Sequence, residues 1–298
     1  MKATRSLTVA LLALTSTAAI GCGQTGPTTA AATARTATPH AIMAAGVERK
    51  LGFDWDSYQK DYAPKANPVR LPRQGLLKGA ADLRADLPPV YDQGKLGSCT
   101  AFAVAKGMRE TLQHQQHTRL QPLSALLQYY ETRASIPLIG WLLVKQDCGG
   151  TISGAVGVLA KTGAAPEELW PYDIAKFAEK APAAAYAACP EFKFKSTKQL
   201  AGLEDVKATL AKGRTVAFGF KVYESFKKIG ADGVMPVPAA SEKLLGGHAV
   251  LAVGYDDAKK ALIVRNSWST KWGDKGYFYM PYQCAGDPGT STDFWTAE

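Results

Sequence analysis

Past the midpoint of this chain the spacing of its hydrophobic residues changes period. From Thr100 onward, Ala101, Ala105, Met108 and Leu112 recur at intervals of four, three and four. That spacing puts them on one face of a helix, and Ser98 stands where an N-cap belongs. Comparable patterns predict helices over residues 122–133, 153–161 and 203–212. The later part reads differently, with β-rich runs over residues 215–220, 248–255, 261–266 and 276–280 separated by turn residues. A helical half followed by an antiparallel-sheet half predicts an α+β protein with a cleft between the halves.

The N-terminal quarter lacks such periodicity. Lys2 and Arg5 precede an apolar run from Leu7 to Ile20, which marks residues 1–21 as a secretory signal peptide. The following Gly21-Cys22 step is similar to a bacterial lipoprotein cleavage site, although Ala19 replaces the usual leucine, so Cys22 is expected to carry lipid. Residues 22–45 are mostly Thr, Ala, Pro and Gly with little charge, the composition of a disordered tether. Residues 46–79 mix aromatic and charged residues with Pro64, Pro68 and Pro72, which fits either a short pro-segment or an extension packed on the domain. The main domain is expected over residues 80–298. The apolar run at residues 136–144 is broken by Pro137 and Gly140 and is too short to span a bilayer. It reads as a buried or pocket-lining loop.

Composition narrows the class further. With 298 residues, 46% hydrophobic and 20% charged, the chain is globular. Its net charge of +9 falls to +7 when Lys2 and Arg5 leave with the leader. The basic residues are scattered rather than interleaved with aromatics, which argues against nucleic acid. A soluble domain in the envelope or outside the cell, held to the membrane by lipid at most, fits better, and a monomer is expected. Five cysteines in an exported chain invite a disulfide. With Cys22 acylated and Cys99 reduced, one bridge at most remains among Cys148, Cys189 and Cys284, and Cys148 with Cys189 is the expected pair. His114 and His117 lie three apart with no carboxylate or cysteine nearby, the pattern of a solvated face. No metal site, phosphate-binding loop or cofactor is expected.

The candidate chemistry centres on Cys99 in the run QGKLGSC, after a glycine-containing turn and at a helix start. Free amides and the helix dipole there favour a thiolate. Far downstream, GGHAVLAVGY supplies His248 and NSW supplies Asn266, on two strands joined through the turn run DDAKK. The two residues are equidistant from Asp257, so an antiparallel hairpin brings imidazole and amide side by side. Such a set suits acyl transfer: the histidine takes the thiol proton, and the amide orients the ring.

The order of these motifs resembles the papain-like cysteine peptidases, particularly their bacterial members, over residues 80–295. The resemblance rests on DQG with Gln93, GSC with Cys99, the Gly149-Gly150 step, WPY at residues 170–172, GHAVLAVGY with His248 and NSW with Asn266. It implies a two-lobed fold with a helical lobe, a β-sheet or barrel lobe and the active site between them. It also implies hydrolysis of peptide bonds in protein or peptide substrates through a thioester. Gln93 would assist the Cys99 amide at the oxyanion, and Trp268 would cover the histidine–asparagine contact. Gly149, Gly150 and Gly247 would bind extended substrate backbone, while Trp272 and the WPY run would serve packing.

Three positions depart from the family pattern. Leu96 removes the half-cystine that would tie the Cys99 loop to Cys148, Thr100 stands at another altered flank, and Ser269 replaces the glycine that usually follows NSW. No long helical pro-segment motif is visible. Two alternatives share the scaffold: an amidase or transpeptidase acting on cell-wall or peptide amides, and a non-catalytic envelope binding protein.

Overall fold

The computed structural model of the chain describes residues 41–44, 46–68, 70, 79–116 and 119–298. The expected leader, Cys22 and His117 lie outside them. The described chain begins with two short antiparallel strands, β1 (Ala41–Ala44) and β2 (Val47–Lys50). Residues 41–44, inside the stretch read as tether, are thus a strand, and Ile42 and Ala44 are buried against Phe226, Ile229 and Met235.

The helical lobe is built around α1, which runs without a break through Cys99–Ala101, Phe102–Arg109 and Glu110–Gln115. Its middle stretch is wound wider than an α-helix, a distortion often found beside functional sites. Two further helices pack around it. In α2 (Ala125–Ala134) the Ser124 side chain caps the Leu127 amide, and in α3 (Ile152–Lys161) Thr151 caps Gly154. A fourth, α4 (Leu203–Ala211), lies on the sheet lobe and closes its core with Val206 and Leu210.

Ser98 does not cap α1. Its hydroxyl is drawn away to the Tyr172 hydroxyl, 2.6 Å distant.

The sheet lobe contains β3 (Ala80–Asp82), β4 (Thr197–Gln199), β5 (Val216–Tyr223), β6 (Leu244–Asp256), β7 (Ala261–Arg265), β8 (Tyr277–Pro281) and β9 (Ser291–Ala297). All are paired antiparallel in the order β4-β9-β5-β6-β7-β8, with β3 on β6. Both faces of its centre are covered, which explains the unbroken apolar run of β6. Phe218, Phe220, Val250 and Ala252 face one core with Trp268 and Trp272. Ala217, Ala249, Leu251 and Val253 face the other, against Cys99, Val104 and Met108 of α1. Small side chains on that face let the helix approach closely, so the Cys99 thiol meets β6.

Two expectations are corrected here. Cys148 and Cys189 are both free thiols. Cys189 is buried among Leu127, Ala165 and Ala185, whereas Cys148 lies beside the strip at Gly149 and Gly150. The loop over residues 136–144 is only partly buried: Gly140, Leu143 and Val144 pack inward, but Leu138 and Trp141 are 94% and 71% exposed. Leu138 has a φ of 69°, which turns its side chain outward. Among the described residues, no helix is long and apolar enough to cross a membrane.

Candidate active site

The start of α1 holds Cys99, completely buried, with the Ala249 amide 3.4 Å from Sγ. His248 therefore lies one residue from the group that touches the thiol. Its Nε2 is 2.8 Å from Asn266 Oδ1, and that oxygen also accepts from the Ser267 amide. A carbonyl oxygen only accepts, so Nε2 carries the proton and Nδ1 is the basic nitrogen. Among the described residues Nδ1 has no hydrogen-bond partner.

The hairpin register differs slightly from the symmetric expectation. Arg265 pairs with Leu251, and the ladder shifts between Ala252 and Gly254. Asn266 lies just past the end of β7 and reaches His248 along a diagonal. Trp268 stacks on His248 with ring centroids 4.8 Å apart and is itself packed on Phe226 and Trp272.

Gln93 is fully buried and held at both ends. Its Oε1 accepts from Ser267 Oγ at 2.6 Å, and its Nε2 donates to Leu96 O at 2.8 Å. The second Nε2 proton points to Lys50 O at 3.1 Å.

That contact belongs to a segment lying across the whole site. The Gly52 amide lies near enough to the Cys99 thiol to favour its thiolate, and the Phe53 amide donates to Gly247 O at 2.9 Å. Gly52 O accepts from the Gly150 amide, and the Asp54 amide donates to Gly150 O, each at 2.8 Å. The structure thus brings Gly150 and Gly247 together on one stretch of extended backbone, which is the chain's own residues 50–54.

Glycine is required by this approach. Gly149 has a φ of 75°, and a Cβ there would lie 2.2 Å from Gly52 O. Phe53 fills a pocket opened by Gly219, where a Cβ would lie 2.3 Å from the ring. Tyr58 follows it into the core beside Thr292 and Asp293.

This cover reverses the expected electrostatics of the nucleophile. Burial pushes the Cys99 thiol up to about 12, outweighing the amides of Ala249, Gly52 and Thr100 that favour its thiolate. Burial likewise lowers His248 to about 4 against the opposing Asn266 bond. The resting pair is therefore a neutral thiol and a neutral imidazole, not the ion pair suggested by the helix-start position alone.

Two further residues touch the site although the motifs assigned neither of them a part in its chemistry. Tyr172, assigned to packing, donates its hydroxyl to Gln93 O at 2.8 Å and meets Ser98. Asp147 binds the Gly97 amide, the Tyr129 hydroxyl and the Lys50 ammonium. Its neighbour Cys148 drew attention only as a thiol. Ser269, where the family pattern has glycine, adopts a φ of 65°, so the left-handed turn survives the substitution under strain.

Comparison with known proteins gives a consistent picture. The family model for papain family cysteine proteases matches residues 78–292. A peptidase C1-like protein of Acanthamoeba polyphaga mimivirus is 36% identical over 238 residues, covering 74% of each chain. The thiol protease aleurain of Arabidopsis thaliana is 27% identical over 79% of this chain and 66% of its own. Among solved structures, xylellain, a cysteine protease from Xylella fastidiosa, superposes with a TM-score of 0.72 at 31% identity. That match covers 83% of this chain and 95% of xylellain.

Proposed function

Because this chain belongs to the papain family of cysteine proteases, we propose that it hydrolyses peptide bonds with Cys99 as nucleophile and His248 as its base. His248 Nδ1 takes the thiol proton, and Sγ attacks the scissile carbonyl carbon. The oxyanion so formed is held by Gln93 Nε2 and the Cys99 amide. As the C–N bond breaks, the imidazolium returns its proton to the leaving amine, leaving a thioester. Water, deprotonated by the same nitrogen, then releases the acid and regenerates the thiol. Asn266 holds the ring through Nε2 so that Nδ1 faces the sulfur at every step.

Residues 50–54 are the resting occupant of this site. Lys50 O accepts from Gln93 Nε2 at 3.1 Å, so the segment takes the place that the substrate's oxyanion would need. Turnover requires its displacement, which readmits water and lets the thiolate–imidazolium pair form. The expected export of the chain and lipid attachment at Cys22 belong to the same proposal and are checked by the mass of the mature N-terminus.

The observation that carries the reading is extended backbone held on Gly150 and Gly247 beside a thiol that accepts from the Ala249 amide, the residue that follows an asparagine-bound histidine. Peptide turnover by purified variants tests it. Cys99→Ala is expected to abolish hydrolysis, and Gln93→Ala to cost about 10²–10³ in kcat. Full hydrolysis by Cys99→Ala overturns the assignment.

A further inference from the structure

The loops on either side of the nucleophile have no covalent tie, since Leu96 stands on one and Cys148 on the other is a free thiol. A carboxylate lies where they meet. Asp147 Oδ1 accepts from the Gly97 amide at 3.0 Å and from the Tyr129 hydroxyl at 2.6 Å. The Tyr129 oxygen in turn accepts from the Gly149 amide at 3.0 Å. One side-chain oxygen therefore joins the Cys99 loop to the strip that holds extended backbone.

The Gly97 N–H belongs to the same peptide unit as the Leu96 carbonyl. That carbonyl accepts from Gln93 Nε2 at 2.8 Å. The tilt of a single peptide plane is thus fixed by Asp147 on one edge and sets the Gln93 amide on the other. The remaining Nε2 proton of Gln93 then points to the position now taken by Lys50 O.

Asp147 itself rests on a rigid base. The Arg133 guanidinium lies over the Tyr129 ring at 3.9 Å and donates to Val144 O at 2.9 Å and Gln146 O at 2.7 Å, ordering the turn that leads to Asp147.

We propose that Asp147 is a positioning residue that orients the oxyanion donor Gln93 through the Leu96–Gly97 peptide plane, doing by hydrogen bonds what a disulfide between these loops would do. The proposal rests on the reading of Gln93 and Cys99 given above. It also separates two tasks of one carboxylate. Oδ1 serves the catalytic loop, while Oδ2 takes the Lys50 ammonium of the covering segment at 2.8 Å. Because the tie is not a disulfide, reductant leaves it intact.

A double-mutant cycle tests the route through Gln93. The full chain carries Lys50→Ala throughout, so that changes at Asp147 no longer alter the grip of the segment. In that background Asp147→Ala is expected to lower kcat about 10-fold or more, with KM changed less than about twofold and no further loss once Gln93 is alanine. Asp147→Asn, whose amide oxygen still accepts, is expected to keep kcat within about threefold of the parent. An equal loss with and without Gln93, or Asn as damaging as Ala, overturns the proposal.

Should Asp147→Ala fail to fold, Tyr129→Phe provides the second arm. It spares the Gly97 bond and is expected to raise KM while kcat holds; the reverse pattern overturns the assignment. Exchange of the Gly97 amide, read without substrate, is expected to quicken in Asp147→Ala and not in Asp147→Asn. Unchanged protection in Asp147→Ala overturns the tie even in a chain with no turnover. A parent that never turns over, yet shows the expected exchange, counts against the protease site and not against Asp147.

Discussion

At the scale of single residues, the buried thiol and imidazole set a pH window for the resting state. His248 is lowered from 6.5 to about 4, so the stability it lends the covered form is present above pH 6.5 and lost as pH falls through 4. Cys99 is raised from 9.0 to about 12, so its contribution is present below pH 9 and lost as pH rises through 12. The segment is held best between these limits. Exchange of the Phe53 amide, corrected for its intrinsic pH dependence, is expected to be slowest between pH 6.5 and 9 and to quicken on both sides. A protection minimum inside that window contradicts this. Ser269 offers a second residue-scale check. Its left-handed φ of 65° costs about 1 kcal/mol relative to glycine, and Ser269→Gly is expected to raise Tm with kcat unchanged.

At the scale of elements, the covering segment explains how far the sequence could be read. The strands carrying His248 and Asn266 were legible because an apolar run interrupted by a turn is a local signal, and β6 and β7 follow it. The helix start at Cys99 was legible for the same reason. The Gly52-Phe53 step was not, because nothing near it in sequence announces partners at Gly150, Gly219 and Gly247, some 100 to 200 residues away. The role of Tyr172 was missed likewise: its hydroxyl finds Gln93 O across 79 positions. The disulfide expectation failed because an odd set of cysteines carries no information on distance.

A pair of glycine substitutions tests the seat of the segment. Gly219→Ala would drive a methyl into the Phe53 ring and is expected to expose Cys99 to iodoacetamide. Gly157→Ala on α3 meets open space and is expected to stabilise by about 1 kcal/mol without changing that exposure. Equal labelling of the two variants would argue against Phe53 as the plug.

At the scale of the whole molecule, two buried titrations oppose each other. Asp293 of β9 binds the Ser153 amide and hydroxyl at the start of α3 and the Trp295 indole, tying the sheet lobe to the helical one. Burial lifts its carboxyl from 3.8 to about 6, so it adds stability as pH falls from 6 towards 3.8, while His248 removes it over nearly the same range. The melting temperature is therefore expected to vary little between pH 6.5 and 4. In Asp293→Asn the compensation is gone, and Tm is expected to fall more steeply with acid. Equal slopes for the two proteins would mean that Asp293 does not titrate there. The two-lobed plan itself followed from the change of hydrophobic period. The sheet order did not, since β9 inserts between β4 and β5 from the far end of the chain.

The nucleophile and its cover are tested together by intact-mass labelling with a thiol-reactive peptide epoxide at pH 7, comparing the native chain with Phe53→Ala and Cys99→Ala. One adduct, mapped to the Cys99 peptide, formed slowly by the native chain, faster by Phe53→Ala and not at all by Cys99→Ala, is the expected result. Adducts on Cys148, Cys189 or Cys284 instead, or equal rates with and without the Phe53 ring, would contradict it.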